Sequence, residues 1–313
     1  MGRKLTITQF EFCKKHTDKN KSAVFKVLKF KQPDRANVLM LRWEFYTGTS
    51  LDNNNITLFN IAKFKEHCYA DMSPNSVATS CAWLASAIRI SLSDEGKNPQ
   101  KFCEALLCKR EQGTFAWLTN EEMDKFVEFY KSTENNNDRA IVALAIIEFY
   151  TAARTSDTKS FSEANVLSQM YIDKNTKEIK QADMICYTSK KTNVKASIPI
   201  KPIVRKILED SRIKGIVITT CVFNAKIKEI AKQIGLDRPV TEHRLGKDIK
   251  DRPLHECLSS HSFRRSFATV LQRDGVSIDL VAKMMGHTNH MQTMRYVQSD
   301  TLVMEDNALK FFK

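Results

Sequence analysis

One stretch of this chain, residues 184–200, alternates like a β-hairpin, while most other patterned stretches repeat at helical spacing. The segments MICYTS (184–189) and VKASIPI (194–200) set β-branched and aromatic side chains at alternate positions. They flank a short basic turn, Lys190-Lys191-Thr192-Asn193. The fold class expected is therefore mainly α with a small β-sheet, an α+β arrangement. The longest apolar run, Ala140 to Ile147, is far too short to span a bilayer, which takes ~20 residues.

The helical signals fall into two groups. Residues 56–69 (ITLFNIAKFKEHCY) have apolar positions at helical spacing. Pro74 follows Ser73, and Asn75 or Ser76 is the expected cap of a second helix, VATSCAWLASAIRISLSDEG, ending near Gly96. Asn98-Pro99 opens a shorter element that runs through Leu107, and Lys109 to Gly113 reads as a linker. Beyond it, Thr119 stands three residues before Glu122, the capping-box signature, at the start of MDKFVEFYK. After a loop at 135–137 comes a buried helix, RAIVALAIIEFYTAAR, with Arg154 at its end. The polar stretch YIDKNTKEIKQAD reads as an enlarged loop or hairpin before the strands. Helices resume at KPIVRKILED and at CVFNAKIKEIAKQI, the latter stopped by Gly235. A chain of 313 residues, at roughly 150 per domain, suggests about two domains. The expected organisation is a basic segment 1–50, a helical domain 51–110, and a larger domain 115–313.

Charge narrows the partner. The chain holds 49 Lys/Arg against 36 Asp/Glu, a formal +13. The first fifty residues carry eleven basic and four acidic side chains, interleaved with Phe10, Phe12, Phe25 and Phe30. Such an excess favours a polyanion such as nucleic acid. The eight cysteines form no C-x-x-C pair, so neither a disulfide framework nor a zinc ribbon is expected. With no signal-peptide pattern at the N-terminus, reduced thiols in a cytoplasmic setting are the expectation.

The candidate chemistry lies near the C-terminus. Ser259 or Ser260 caps a helix that runs to about Gln272, so His261 and Arg264 fall at i and i+3 on its first turn, while Arg265 points elsewhere. Ser277 caps a second helix stopped by Gly286, and His287 follows at once. Tyr296 comes nine positions later on a third short helical segment. Arginine is a planar fork for two phosphate oxygens. Histidine donates a hydrogen bond or moves a proton near neutral pH. A tyrosine hydroxyl can attack phosphorus and form an ester. Arg154 could supply a second guanidinium or pair with Asp157 or Glu163, and a lysine at 190–191 could act as an acid.

The ordered set resembles the tyrosine recombinase (phage integrase) family. The quoted residues are Thr151-Ala152-Ala153-Arg154-Thr155-Ser156-Asp157, Lys190-Lys191-Thr192, His261-Ser262-Phe263-Arg264, Gly286-His287 and Tyr296. Ala152 stands where the family often has glycine, and Asp157 where it often has glutamate. The resemblance implies a catalytic domain at 115–313 behind a helical core-site DNA-binding domain at 51–110, with residues 1–50 as an accessory DNA-binding segment. It implies a site-specific recombinase that needs no metal, cofactor or ATP. Tyr296 would be the nucleophile that forms a 3′-phosphotyrosine. Arg154 and Arg264 would hold the phosphate, and Lys191 (with Lys190 as runner-up) would protonate the leaving oxygen. His261 would move a proton at the tyrosine, and His287 would hydrogen-bond the phosphate. The partners implied are double-stranded DNA with specific recombination sites, a homotetramer joined by exchange of the C-terminal tail, and accessory DNA-bending proteins. The setting implied is the cytoplasm of a bacterium or its phage. Type IB topoisomerases use similar residues, and a non-catalytic DNA-binding protein on this fold is the other alternative.

Overall fold

The computed structural model describes residues 22–111, 115–173, 176–244, 247–287 and 290–294. The chain divides into two compact units, the first of which ends at residue 112 apart from residues 244–247.

The first unit is helical: α1 (Ala23–Lys31), α2 (Ala36–Thr47), α3 (Leu58–Asp71), α4 (Pro74–Asp94) and α5 (Gln100–Ala105). Small polar side chains start the longer helices. Ser22 accepts from the Phe25 amide, Thr57 from Asn60, and Ser73 from Ser76 with Pro74 at the first helical position. The α4 cap is thus Ser73, ahead of the expected Asn75 or Ser76, because proline is accommodated where a helix has no amide to pair. The expected division at residue 50 does not separate two cores. Val24, Leu28, Leu39, Met40 and Trp43 pack with Ile61, Phe64, Leu84 and Ile88 in one cluster. Apolar residues four apart at 24 and 28, and at 39 and 43, give α1 and α2 buried stripes of their own. Residues 1–21 lie outside the described part.

The second unit is built round α7 (Asn136–Thr151), whose run from Ala140 to Phe149 is buried on nearly every side. A helix apolar all round needs neighbours all round. These are α6 (Asn120–Ser132), α10 (Thr220–Gln233) and α12 (Ser260–Arg273), which contribute Phe126, Ile227 and Phe263 to one core. The capping box at α6 forms as read: the Glu122 amide donates to the Thr119 hydroxyl and Glu122 accepts from the Thr119 amide. Helix α7 stops at Thr151, three residues short of Arg154, because Ala152 turns left-handed at φ 50°. Arg154 instead caps the short α8 (Thr155–Thr158).

Three antiparallel strands follow in the order β1 (Val166–Ile172), β2 (Ile179–Thr188), β3 (Lys195–Pro199). The polar stretch read as a loop or hairpin is the β1–β2 hairpin, with Ile172 opposite Ile179. The basic turn joins β2 to β3, with Thr188 opposite Lys195. After α9 (Pro202–Glu209) and α10, a second hairpin, β4 (Pro239–Arg244) with β5 (Lys247–Pro253), has no counterpart in the sequence reading. Its residues are largely charged, so no apolar alternation marks it. One turn of helix, α11 (Leu254–Cys257), leads to α12, then α13 (Ile278–Met284) and α14 (His290–Met294). Sheet and helices meet where Ile185 and Ile198 pack with Phe267, Ala268, Val281 and Met285.

Phe263 sits edge-on to both Phe126 and Phe223, at 5.7 and 6.0 Å between ring centroids. These contacts hold α12 against α6 and α10. Phe126→Ala should therefore cost the second unit about 3–5 kcal/mol of stability, read by urea denaturation followed by circular dichroism. A loss under about 1 kcal/mol would mean that α6 does not hold α12 in place.

Candidate active site

The start of α12 is pinned by side chains on three sides. Ser259 and Ser262 form a reciprocal cap, and the Ser260 amide donates to Asn224 Oδ1 at 2.9 Å. The Leu118 amide donates to Ser266 Oγ at 2.7 Å. The helix therefore presents its first turn in a set orientation, with His261 exposed and Arg264 buried at 1 % exposure. Arg265 points away, its guanidinium stacked 3.7 Å from the Phe115 ring centroid.

Arg264 ties three segments together. Nη1 donates to the Ala152 carbonyl, and Nη2 donates to the Met285 carbonyl at 2.7 Å. His287 Nε2 lies 2.9 Å from the same Nη2. The left-handed turn at Ala152 aims that carbonyl off the end of α7. Gly286, at φ 63°, turns the chain after α13 so that His287 is buried.

A second set of bonds joins Arg154 to the basic hairpin. Arg154 Nη1 donates to Ser189 Oγ at 2.8 Å, and that hydroxyl donates to Asp157 Oδ2 at 3.2 Å. The Lys190 amide donates to Asp157 Oδ1 at 3.0 Å. Asp157 thus latches the β2–β3 turn to α8, and Glu163 faces Lys214 at 3.5 Å. The Lys190 ammonium donates to the Ser156 carbonyl at 3.3 Å, so its charge points back along the protein. Lys191 is exposed, and it is one of the cations that act on His261.

The electrostatics bring the dispersed residues together. His261 reaches solvent at one edge, but partial loss of solvent round the ring and then the charges of Arg265, Arg264, Arg154 and Lys191 hold it below the ordinary histidine range. His287 falls to about 4, through burial first and then Arg264 and Arg154. Arg154, Arg264, Arg265 and Lys191 thus lie near enough for their charges to act on His261, Arg154 and Arg264 act likewise on His287, and Arg264 and His287 are in direct contact. Tyr296, the sixth sequence candidate, lies outside the described residues. Sequence reasoning missed Ser189, Thr293 and Glu148. Ser189 borders the basic turn and could have been found from it, whereas Thr293 and Glu148 carry no local signal.

Glu148 lies on α7 at 1 % exposure with both carboxyl oxygens sealed from solvent. Burial pushes its pKa up to about 8, and the Thr155 hydroxyl and the charges of Arg264 and Lys159 offset only part of that. A carboxyl raised on folding binds its proton more tightly in the folded chain than in the unfolded one. Its contribution to stability is thus complete below the ordinary carboxylate range and is lost as pH rises to about 8. Glu148→Gln should flatten that fall. Urea titrations of both proteins at several pH values between about 5 and 9 would show it, and parallel stability curves would reject the assignment.

The phage integrase family model matches residues 116–302. No curated protein sequence matches the chain. Among solved structures, an integrase of the Tn1549 transposon in complex with a circular intermediate DNA superposes with a TM-score of 0.61 at 14 % identity, over 93 % of this chain and 99 % of that one. XerH recombinase bound to its palindromic difH substrate, a post-cleavage complex, gives 0.59 at 17 % identity over 98 % and 90 %. A lambda integrase dimer bound to a COC′ core site gives 0.59 at 13 % over 95 % and 96 %. At these identities the likeness is one of fold.

Proposed function

Because this chain belongs to the phage integrase family, whose members are tyrosine recombinases, we propose that it cuts and rejoins DNA at specific sites through a 3′-phosphotyrosine formed by Tyr296. What supports the reading is the hydrogen-bonding contact of Arg264 with His287 at 2.9 Å, together with the Arg154 and Lys191 charges that act on His261. The phenolic oxygen attacks the scissile phosphorus, the bond to the 5′-oxygen breaks, and that oxygen leaves as a hydroxyl. Arg154 and Arg264 stabilise the charge that grows on the non-bridging oxygens. Two of the bonds Arg264 makes are to backbone carbonyls, so its orientation is set before substrate arrives. Lys191 is the acid for the departing oxygen. It stands in the hairpin turn that Asp157 latches beside Arg154, whereas the Lys190 ammonium is engaged by Ser156. His261 is held below the ordinary histidine range, which favours the neutral form suited to accept the tyrosine proton. The phosphodiester's energy is kept in the tyrosyl ester, so resealing by an incoming 5′-hydroxyl needs no ATP.

The matched Tn1549 integrase is bound to a circular intermediate DNA, XerH to its difH substrate and the lambda integrase to a core site. In this reading the first unit grips the core site and the second performs the chemistry, in the cytoplasm, on a mobile element being integrated or excised. Residues 1–21 carry six Lys/Arg and two Asp/Glu and would extend the contact to flanking DNA, alongside accessory bending proteins. Four protomers would act together, linked by the tail after Tyr296, which carries Leu302, Val303, Met304, Leu309, Phe311 and Phe312. A groove of about 610 Å³ in the second unit, walled by Ile147, Ile207 and Ile216 together with Lys159, Glu163 and Lys214, would receive it.

Tyr296→Phe should abolish the covalent protein–DNA adduct on a nicked or suicide substrate and leave DNA affinity within about twofold. An adduct formed by the Phe variant would assign another nucleophile, and plasmid relaxation without strand exchange by the unaltered protein would assign a topoisomerase. Truncation after Ser299 should leave one protomer bound per half-site and remove the four-protomer complex in sedimentation. Unchanged assembly would place the subunit contact elsewhere.

A further inference from the structure

His287 is held between two fixed neighbours. Its Nε2 lies 2.9 Å from Arg264 Nη2, and its Nδ1 lies 2.8 Å from Thr293 Oγ1. His287 keeps 8 % of its surface, Arg264 1 %, and Thr293 none. The donors and acceptors admit a single assignment. A guanidinium nitrogen donates and never accepts, so Nε2 must offer its lone pair to Arg264. The ring proton is then on Nδ1, and the Thr293 hydroxyl oxygen accepts it. An imidazolium would point an N–H at a guanidinium, which matches the depression of the His287 pKa to about 4.

We infer that Thr293 is a positioning residue of the strand-cleavage site: its hydroxyl holds His287 in the Nδ1–H form, and His287 in turn orients Arg264. This rests on the recombinase reading above. It also alters the role expected of His287. In this arrangement the imidazole accepts from Arg264, so its Nε2 has no proton to offer a phosphate. His287 acts on the phosphate through the guanidinium.

The chain order adds a consequence. Thr293 lies on α14, three residues before Tyr296 in the sequence. The helix leading to the nucleophile is thereby bonded, through one hydroxyl and one imidazole, to the arginine that holds the phosphate. A hydroxyl at 293 thus serves two ends, the tautomer of His287 and the docking of α14. Valine has the same branched shape and lacks the oxygen, whereas serine keeps the oxygen and lacks the methyl.

Two measurements test the inference. Long-range 15N–1H correlation spectra of the histidine rings, assigned with a His287→Gln control, should show His287 protonated on Nδ1 and bare on Nε2 near neutral pH. Single-turnover cleavage on a suicide DNA substrate should be about tenfold slower in Thr293→Val, the worth of one ordinary hydrogen bond, with DNA affinity unchanged. Thr293→Ser should cleave at close to the wild-type rate, and in the valine variant the Nδ1–H signature of His287 should weaken. A His287 protonated on Nε2 in the wild type would overturn the inference, whether or not any variant folds. So would wild-type cleavage by the valine variant, or a serine variant as slow as valine. Should the wild-type protein form no adduct on DNA, the recombinase reading fails. The ring spectra would still decide the hydrogen-bond assignment.

Discussion

Arg264 is buried at 1 % exposure, where unmet donors are costly, and the second unit is organised round supplying acceptors to both of its terminal nitrogens. Its acceptors come from three places far apart in the chain: the carbonyl of Ala152 after α7, the carbonyl of Met285 after α13, and the ring of His287. Each acceptor exists because a helix ends where it does. The left-handed turn at Ala152 and the glycine turn at Gly286 release backbone groups from helical pairing and point them inward. The helix breaks and the site are therefore one feature. A chain that ran α7 straight on to Arg154 would lose the Ala152 acceptor and carry Arg154 off in another direction.

The alanine at 152 shows the tension in that design. A left-handed backbone costs an L-residue roughly 1–2 kcal/mol, which glycine avoids. Ala152 is nonetheless fully buried, with its methyl group in the cluster that joins the sheet to α12. A buried methyl group returns a comparable amount, about 0.8 kcal/mol. The methyl group offsets part of the cost, and the turn forms with alanine in place.

What was legible in the sequence was chemistry with local punctuation. The capping box at Thr119 and Glu122, a cap at Ser259 or Ser260 (Ser259 in the structure), the glycine stops at 235, 275 and 286, and the basic hairpin all follow from residue type and short spacing. The H-x-x-R and G-H spacing led to Arg264 and His287, which lie in hydrogen-bonding contact. The rest depended on tertiary partners. Helix α7 reads as continuing because its apolar run continues, and only packing shows where it turns. The β4–β5 hairpin is largely charged, and cross-strand pairs such as Arg252 with Glu242 at 2.8 Å take the place of a continuous apolar face. The separation of residues 1–50 followed their charge, whereas α1 and α2 are placed by Val24, Leu28, Leu39 and Trp43, which charge counting ignores.

The titratable groups around the cluster are biased in one direction. Burial pushes the Glu148 carboxyl up to about 8, so it brings little negative charge to Arg264 near neutral pH. Both histidines are pushed toward their neutral forms by loss of solvent and by the arginines beside them. The Asp157 carboxylate is occupied by the Ser189 hydroxyl and the Lys190 amide, on the hairpin side of the cluster. Arg154, Arg264 and Lys191 are left as a concentrated positive field with hydrogen-bond acceptors nearby but little opposing charge. A single anionic phosphodiester is the complement of such a field, and preorganised charge of this kind favours a transition state that gathers negative charge more than it favours the ground state. The same bias explains why the histidines stay neutral: an imidazolium beside two guanidinium groups would add repulsion within the protein and leave His261 no lone pair with which to take a proton.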